Sequence, residues 1–370
     1  MRNILVLYDG TSYTYKWVKT LFWAKKEFQK AGIRLCYLNI KSYLPIGTLA
    51  KNQVDDFIKS VGKKEYDMVF VAYHYSISKI ESTTGLDKIA FLKLLRESCK
   101  KIVWLDTADS TGNCQFEVMP YVDVYLKKQL LKDKDLYTKR LYGTKLYTDF
   151  YYRSLKIEDE KINEEYVLLR PEDKDKLKTS WNIGISDFWT NTRYSIVRPR
   201  KMALPQPISV EKERTITLFF NGTMNYSPLN GYQRRRVIEL MESDIRTSTP
   251  SPTAKMSHKE YVESMKSTKA SISPFGWGEI CYRDFESFVY GSTLIKPDMS
   301  AVETYPNFFM ENETYVPIKW DFSDYTEILE SIDSEEYKKI AQNAQNLYMS
   351  HINSAFGKEN FVKHILSVIQ

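Results

Sequence analysis

Cysteine and histidine are scarce in this sequence, and neither type is grouped. The four cysteines, Cys36, Cys99, Cys114 and Cys281, form no CxxC pair and have no histidine pair beside them. This pattern argues against a zinc site and against a disulfide scaffold. It favours thiols that stay reduced.

Long apolar runs are also missing. No stretch approaches the roughly 18 apolar residues that a membrane-spanning helix needs. The first apolar run already ends at Asp9-Gly10, which is too early for a signal peptide. We therefore expect a cytoplasmic protein. An early Gly-x-Gly-x-x-Gly is absent as well, which argues against a dinucleotide oxidoreductase.

The charges nearly balance. Lys and Arg number 53 against 47 Asp and Glu, which gives a net charge of +6. Such a small excess does not require a nucleic acid, and we expect none as a partner. It suits an anionic ligand or a membrane surface equally well. The chain of 370 residues is long enough for two domains, each with its own core.

One stretch, Ser271–Pro306, has the clearest succession of secondary-structure signals. A short apolar run ends at Pro274 and is followed by the glycine-rich loop Phe275-Gly276-Trp277-Gly278. Apolar residues at helical spacing then predict a helix from Glu279, closed by Gly291 and followed by a strand. This order is that of a βαβ unit.

Such a loop brings backbone N–H groups and the positive end of a helix together, which suits an anion and most often a phosphate. Glu279, Arg283 and Glu286 are spaced four and three residues apart, so a helix would present them on one face. A guanidinium beside a phosphate and carboxylates near sugar hydroxyls would suit a nucleotide-sugar. The alternative is a capped surface helix with an ordinary Glu–Arg pair.

The segment SPFGWGEICYRDFESFVYGSTLIKP, from Ser273 to Pro297, resembles the donor-binding segment of GT-B glycosyltransferases of the group 1 class. It is also similar to the exostosin-like branch, in which an Arg and a Glu lie three apart on this helix, as Arg283 and Glu286 do. Glu279 and Glu286 are seven apart, whereas the group 1 pair is eight apart. The resemblance is best over residues 215–331.

The resemblance implies a role for several residues. Glu286 would accept hydrogen bonds from ribose hydroxyls, Arg283 would neutralise the diphosphate, and Glu279 would hold the transferred sugar. The strand Thr215–Phe220 would end at a turn beside the donor phosphates. The expected donor-binding residues are Gly222, Thr223, Phe275, Gly276, Trp277, Gly278, Glu279, Tyr282, Arg283 and Glu286.

The first half of the chain alternates strands and helices, which predicts a doubly wound parallel sheet. The predicted strands are Asn3–Tyr8, Arg34–Ile40, Asp67–Tyr73, Lys101–Leu105 and Val122–Leu126. The predicted helices are Tyr15–Ala31, Gln53–Val61 and Leu86–Cys99. Ligands of such sheets bind beyond the carboxyl ends of the strands.

Four titratable residues lie at or just after those ends: Asp9, His74, Asp106 and Asp109. Each has a structural alternative, a turn or cap for the aspartates and a structural role for the histidine. In a GT-B acceptor domain this is the place of a general base, which must reach the acceptor hydroxyl. We expect the catalytic base among these four and favour Asp106.

Two charged segments have open interpretations. Lys127–Lys145 mixes Lys and Arg with Leu and Tyr, which indicates a solvated surface or a basic patch that touches anionic lipid head groups. Arg234, Arg235 and Arg236 are consecutive, so at most one or two of them can face a cleft.

Residues 198–214 are Pro-rich and polar and suggest an interdomain linker.

The sequence therefore predicts two Rossmann-like domains facing across a cleft, with an acceptor domain at 1–200, a nucleotide-sugar domain at 201–350 and a C-terminal helix at 351–370 that packs back. The predicted function is transfer of a sugar, a hexose or a related one, to a hydroxyl of a glycan or lipid-linked acceptor, which the resemblance places in bacterial surface polysaccharide synthesis. Because Arg, Lys and helix amino termini can supply the positive charge at the diphosphate, we expect no metal and no other cofactor. The alternatives are a non-catalytic nucleotide- or glycan-binding protein and an enzyme acting on phosphorylated small molecules, such as an epimerase.

Overall fold

The computed structural model describes residues 1–39, 66–73, 87–160, 162, 165–185, 205–247, 250–352 and 354–370. Two parallel sheets organise these residues, one in each half of the chain. The first has six strands and the second has four. A small antiparallel pair joins the two halves.

The first sheet is a parallel one, in the order β2-β1-β3-β4-β5-β7. Its central strands are apolar throughout because helices or loops cover both faces; all six residues of β3, for example, are buried. Its strands are β1 (Arg2–Tyr8), β2 (Ile33–Asn39), β3 (Met68–Tyr73), β4 (Ile102–Asp106), β5 (Val124–Lys127) and β7 (Leu177–Thr179).

The predicted helix Tyr15–Ala31 is two helices, α1 (Ser12–Trp23) and α2 (Lys25–Lys30). The break falls at Ala24, whose backbone leaves the helical region. The next helix, α3 (Lys88–Ser98), begins at a cap in which Asp87 accepts hydrogen bonds from two amides. The predicted helix Gln53–Val61 lies outside the described residues.

The second sheet, in the order β12-β10-β9-β8, is also parallel. Its strands are β8 (Ile216–Phe219), β9 (Thr268–Ile272), β10 (Thr293–Pro297) and β12 (Val316–Ile318). Helix α4 (Leu146–Leu155) lies between β5 and β7 in the chain. The helices of the second half are α5 (Pro228–Ser243), α6 (His258–Lys266), α7 (Tyr282–Tyr290), α8 (Tyr325–Glu330), α9 (Glu335–Ile352) and α10 (Ala355–Val368).

A short antiparallel pair, formed by β6 (Gln129–Leu131) and β11 (Val302–Thr304), was not predicted from the sequence. These strands have three residues each, too few for a period-2 pattern to stand out. The pair connects the first half of the chain to the second. One buried apolar cluster also extends across both halves and includes Val6, Leu105, Phe285 and Tyr348.

The last helix, α10, crosses back onto the first half, as predicted. The Phe361 ring packs 6.2 Å from Phe28 and 5.4 Å from Trp181, measured between ring centroids. Helix α10 begins after the cap residue Ser354. Gly357 permits a close approach, since a Cβ there would lie 1.8 Å from the carbonyl oxygen of His351.

The predicted boundary between residues 200 and 201 lies outside the described residues, so the domain limits stay a prediction. Two Rossmann-like parallel sheets with a helix that crosses back are present, and the predicted fold class is confirmed. In the part of the chain that the structure describes, no helix has the length and apolar character needed to cross a membrane.

Candidate active site

The glycine-rich loop lies at the carboxyl ends of the second sheet. The loop 273–281 follows β9, and the turn Asn221-Gly222-Thr223 follows the neighbouring strand β8. Adjacent parallel strands end at the same edge of a sheet, which is where α/β proteins bind ligands. The helix that follows the loop contacts the turn, because Arg283 donates to the carbonyl oxygen of Asn221 at 2.6 Å.

Helix α7 begins at Tyr282, three residues later than predicted, and ends at Gly291 as predicted. Asp284 fixes its start by accepting a hydrogen bond from the amide of Cys281 at 3.0 Å. The same carboxylate pairs with Lys296 on β10 at 2.9 Å, and both side chains are fully buried. Because this pair anchors the first turn, the neighbouring Arg283 is held in one place.

Two buried arginines converge on the glycine positions. Arg283 is 7% exposed and Arg234, from α5, is 8% exposed. Arg234 donates to the carbonyl oxygen of Thr223 at 2.7 Å. A Cβ at Gly222 would lie 2.9 Å from Nη2 of Arg283, and one at Gly276 would lie 2.4 Å from Nη2 of Arg234. The glycines therefore leave space for the two guanidinium groups.

Neither guanidinium forms a close ion pair with a carboxylate of the described residues, and Nε and Nη1 of Arg283 are buried without a hydrogen-bond partner. Cys281, Tyr261, Asp284 and Glu286 lie near enough to raise the pKa of Arg283 against the effect of burial. Burial lowers the pKa of Arg234, and the charge of Arg283 lowers it further. Two buried positive charges, of which Arg283 has unpaired donors, attract an anion, and phosphate matches the fork of a guanidinium.

Glu286 lies on the same helix as Arg283 but is only partly buried. It accepts a hydrogen bond from the hydroxyl of Tyr261 at 2.7 Å. Burial raises the pKa of its carboxyl group. Its predicted role, binding ribose hydroxyls, stays a prediction.

Glu279 lies before the helix, so the expected shared face with Arg283 and Glu286 is wrong. Its carboxylate is 3% exposed and faces the first half of the molecule. It accepts hydrogen bonds from the amide of Thr111 at 3.0 Å, from the hydroxyl of Thr111 at 2.7 Å, and from the side-chain amide of Gln129. These contacts join the glycine-rich loop to the first half and occupy the carboxylate that was expected to hold a sugar.

Glu279→Ala is therefore expected to lower the free energy of unfolding by about 3 kcal/mol, because it leaves the Thr111 and Gln129 donors buried and unsatisfied. Urea unfolding would measure this loss. The control is Glu263→Ala on an exposed ion pair with Lys266, which should change stability by less than about 0.5 kcal/mol. A variant at Glu279 that unfolds like the wild type but loses sugar transfer would favour the sugar-holding role instead.

The favoured base, Asp106, is wrongly placed for that role. It is 2% exposed. Its carboxylate pairs with Lys127 at 3.0 Å, accepts from the hydroxyl of Tyr125 at 2.5 Å and accepts from the amide of Ala108 at 2.8 Å. A carboxylate that is buried and engaged in this way cannot reach an acceptor hydroxyl.

Asp9, like Asp106, is buried and held by hydrogen bonds within the protein. It is 2% exposed and accepts hydrogen bonds from the amide and hydroxyl of Thr11 and from the hydroxyl of Thr14, at the start of α1. This matches the turn that the sequence left open as an alternative. His74 lies outside the described residues.

Asp109 is the candidate that lies in the cleft. Its side chain is 44% exposed and forms an ion pair with the buried Lys128. It lines a cavity of about 170 Å³. The other lining residues are Tyr13, Lys16, Trp17 and Ile183 from the first half and Ile280, Cys281 and Tyr282 from the second. The cavity is smaller than the 300–1,000 Å³ of a typical ligand pocket, so it suits only part of a ligand.

The glycine-rich loop contacts Ser110, the residue beside Asp109. A Cβ at Gly278 would lie 2.9 Å from the backbone nitrogen of Ser110 and 3.5 Å from the Cβ of Asp109. The loop that precedes α7 and the loop that follows β4 are thus packed together. Asp109 and the predicted donor loop share one cleft.

The basic segment Lys127–Lys145 is not a uniform surface patch. Lys127, Lys128 and Lys145 are at most 2% exposed, so these three lysines do not belong to a surface patch, and membrane contact through the exposed residues of the segment stays a prediction. Burial lowers the pKa values of Lys128 and Lys145 to about 8 in both cases. Their partners are Asp109 and Asn230, which lie far from them in sequence, so charge pattern alone could not reveal the burial.

Which of the three consecutive arginines is buried was not predicted from the sequence. The structure buries Arg234, while Arg235 and Arg236 are partly exposed. The signal that could have separated them is helical periodicity, since Leu229, Gln233 and Val237 are buried on the same side of α5.

In the described part of the chain, no group of three His, Cys, Asp or Glu side chains could hold a metal ion. The expectation that no metal and no cofactor is needed remains a prediction.

No family model and no curated protein matches the chain. Among solved structures, it is similar to Anabaena HepE in complex with UDP-glucose, with 12% identity, a TM-score of 0.43 and coverage of 99% of this chain and 100% of that one. It is also similar to an alpha-glucosyltransferase in complex with UDP, with 12% identity, a TM-score of 0.43 and full coverage of both chains. A third is a putative UDP-N-acetylglucosamine 2-epimerase from Listeria monocytogenes, with 11% identity, a TM-score of 0.43 and coverage of 100% and 96%. Two parallel Rossmann-like sheets that share one cleft, with the last helix crossing back, form the GT-B architecture that the sequence predicted.

Proposed function

We propose that this protein is a glycosyltransferase that moves a sugar, a hexose or a related one, from a nucleotide-sugar to a hydroxyl of a glycan or lipid-linked acceptor. Synthesis of a bacterial surface polysaccharide is the setting that the sequence resemblance suggests. The donor would bind at the carboxyl ends of β8 and β9, and the acceptor would bind on the Asp109 side of the cleft.

One observation carries the proposal. Arg234 and Arg283 converge, both buried, on the turn at Gly222 and the loop at Gly276, and no carboxylate of the described residues pairs with them. A diphosphate would supply the missing negative charge and accept hydrogen bonds from the unpaired Nε and Nη1 of Arg283.

The chemistry follows from where charge develops. The bond between the sugar and the nucleoside diphosphate breaks, and the leaving diphosphate gains negative charge that the two guanidiniums stabilise. The acceptor oxygen forms the new bond to the sugar and loses its proton. We assign the uptake of that proton to Asp109, the carboxylate that lines the cavity and is 44% exposed. In this proposal the arginines provide the positive charge at the diphosphate without a metal ion.

The first test is a thermal-shift screen with UDP, GDP, CDP, ADP, dTDP and CMP. A ligand that binds only the folded state raises the melting temperature as its concentration rises above its dissociation constant. We expect a diphosphate of one base to stabilise the protein, and CMP, which has one phosphate, to stabilise it less. No shift with any nucleotide would contradict the proposed donor site.

A second measurement separates an enzyme from a binding protein. The nucleotide-sugar of the base that binds is incubated with the protein alone, and release of free sugar is followed. We expect slow hydrolysis, since water can replace the acceptor at a competent centre. Binding without any turnover, with or without a panel of glycan acceptors, would support the non-catalytic alternative.

A further inference from the structure

Helix α4 belongs to the first half of the chain but packs on the donor site of the second. The chain leaves the first sheet after β5 and returns to it at β7, and α4 lies in the intervening segment. Its side chains contact both the glycine-rich loop and helix α5, which carries Arg234.

Tyr147 holds the loop. Its hydroxyl donates to the carbonyl oxygen of Gly276 at 3.0 Å, and its ring centroid lies 5.1 Å from that of Phe275. The side chain is 2% exposed, so water does not compete for this contact. The contact fixes the backbone at the position where the Arg234 guanidinium comes closest to the loop.

Tyr151 holds both walls of the site through Gln233. The hydroxyl of Tyr151 accepts a hydrogen bond from Nε2 of Gln233 at 2.5 Å and donates to the carbonyl oxygen of Trp320 at 3.0 Å. Oε1 of Gln233 accepts a hydrogen bond from the amide of Phe275 at 2.6 Å. Nε of Arg234 donates to the carbonyl oxygen of the same Phe275 at 3.4 Å.

Residues on either side of α4 hold the start of α5. Lys145 donates to the side-chain oxygen of Asn230, and its Nζ lies 4.3 Å from the ring centroid of Trp277. Asp159 accepts a hydrogen bond from the amide of Leu229 at 3.2 Å, in the first turn of α5. The first half therefore fixes α5 at its amino end as well as along its length.

We infer that Tyr147 and Tyr151 are positioning residues for the nucleotide-diphosphate donor, although neither belongs to the second sheet that forms the donor site. They set the distance between the Gly276 loop and the Arg234 guanidinium. The donor site is thus completed by the acceptor-side half of the chain. This inference rests on the proposed function.

The test measures nucleotide affinity by calorimetry, with the nucleoside diphosphate that stabilises the wild type, for Tyr147→Phe and Tyr151→Phe. Each change removes one hydroxyl and keeps the packed ring. We expect each to raise the dissociation constant about fivefold, which corresponds to the loss of one hydrogen bond. The matched control is Tyr315→Phe, because the buried Tyr315 hydroxyl accepts a hydrogen bond from the amide of Met299 and contacts neither wall of the site. It should lower the melting temperature similarly without changing affinity.

A double-mutant cycle separates positioning from a general loss of stability. In an Arg234→Lys background, Tyr151→Phe should weaken binding by less than twofold, since its effect passes through the Arg234 contact. Wild-type affinity in both tyrosine variants, or additive effects in the cycle, would overturn the inference. If no nucleoside diphosphate binds the wild type, the proposed function itself fails, and that outcome is seen before any variant is made.

Discussion

Arg283→Ala is expected to weaken binding of the nucleoside diphosphate by about 100-fold and to abolish sugar transfer. The guanidinium is 7% exposed and has two buried N–H positions, at Nε and Nη1, without a partner among the described residues. Loss of two charge-assisted hydrogen bonds to phosphate accounts for an effect of this size. Calorimetric titration of the diphosphate into both proteins would measure it.

The matched control is Arg236→Ala, on helix α5. Arg236 is partly exposed and pairs with Glu239 at 3.3 Å. The Arg236→Ala substitution removes the same charge from the protein but should leave the affinity for the nucleoside diphosphate unchanged. If the two variants bind the nucleotide equally well, the anion site does not lie at Arg283, and the net positive charge of the protein explains any binding.

Asp109→Asn is expected to lower kcat by a factor of about 10²–10⁴ while leaving nucleotide affinity unchanged. Asparagine keeps the size of the side chain but cannot accept the acceptor proton, and general base catalysis contributes that range. Steady-state kinetics with a fixed acceptor, together with a binding titration, would separate kcat from donor affinity. Because asparagine removes the charge that pairs with the buried Lys128, some loss of stability is expected, and urea unfolding is measured alongside so that this loss is separated from the loss of kcat.

Asp175→Asn provides the comparison for Asp109, since Asp175 is exposed and lies outside the cleft. It should have wild-type kcat and affinity. If Asp109→Asn also keeps full activity, the base lies elsewhere among the candidates, and His74 would be the next residue to change.

Local patterns in the sequence were sufficient for the strand–loop–helix unit around Gly276. Its apolar strands, the two glycines of the loop and the closing Gly291 are each set by neighbours a few residues away. Arg283 was expected on this helix and lies on it, although the helix begins at Tyr282 and not at Glu279. The buried central strands of the first half, such as Met68–Tyr73, were equally accessible.

The residues whose roles were wrongly predicted are those whose environment depends on long-range contacts. Glu279 faces Thr111, 168 residues away, and Lys145 donates to Asn230, 85 residues away. The spacing of neighbouring residues carries no information about such partners. Asp106 and Asp109 look alike in sequence, and only the fold buries one beside Lys127 and leaves the other in the cleft.

The packing of Phe361 on Phe28 and Trp181 also has a consequence for biosynthesis. Phe28 is synthesised more than 300 residues, and Trp181 about 180 residues, before Phe361 of the helix that covers them. At about 5–20 residues per second, the ribosome needs roughly 15–70 s to proceed from Phe28 to that helix. During this interval Phe28 and Trp181 lack their final partner and present apolar surface, which makes the nascent first half a natural client for chaperones.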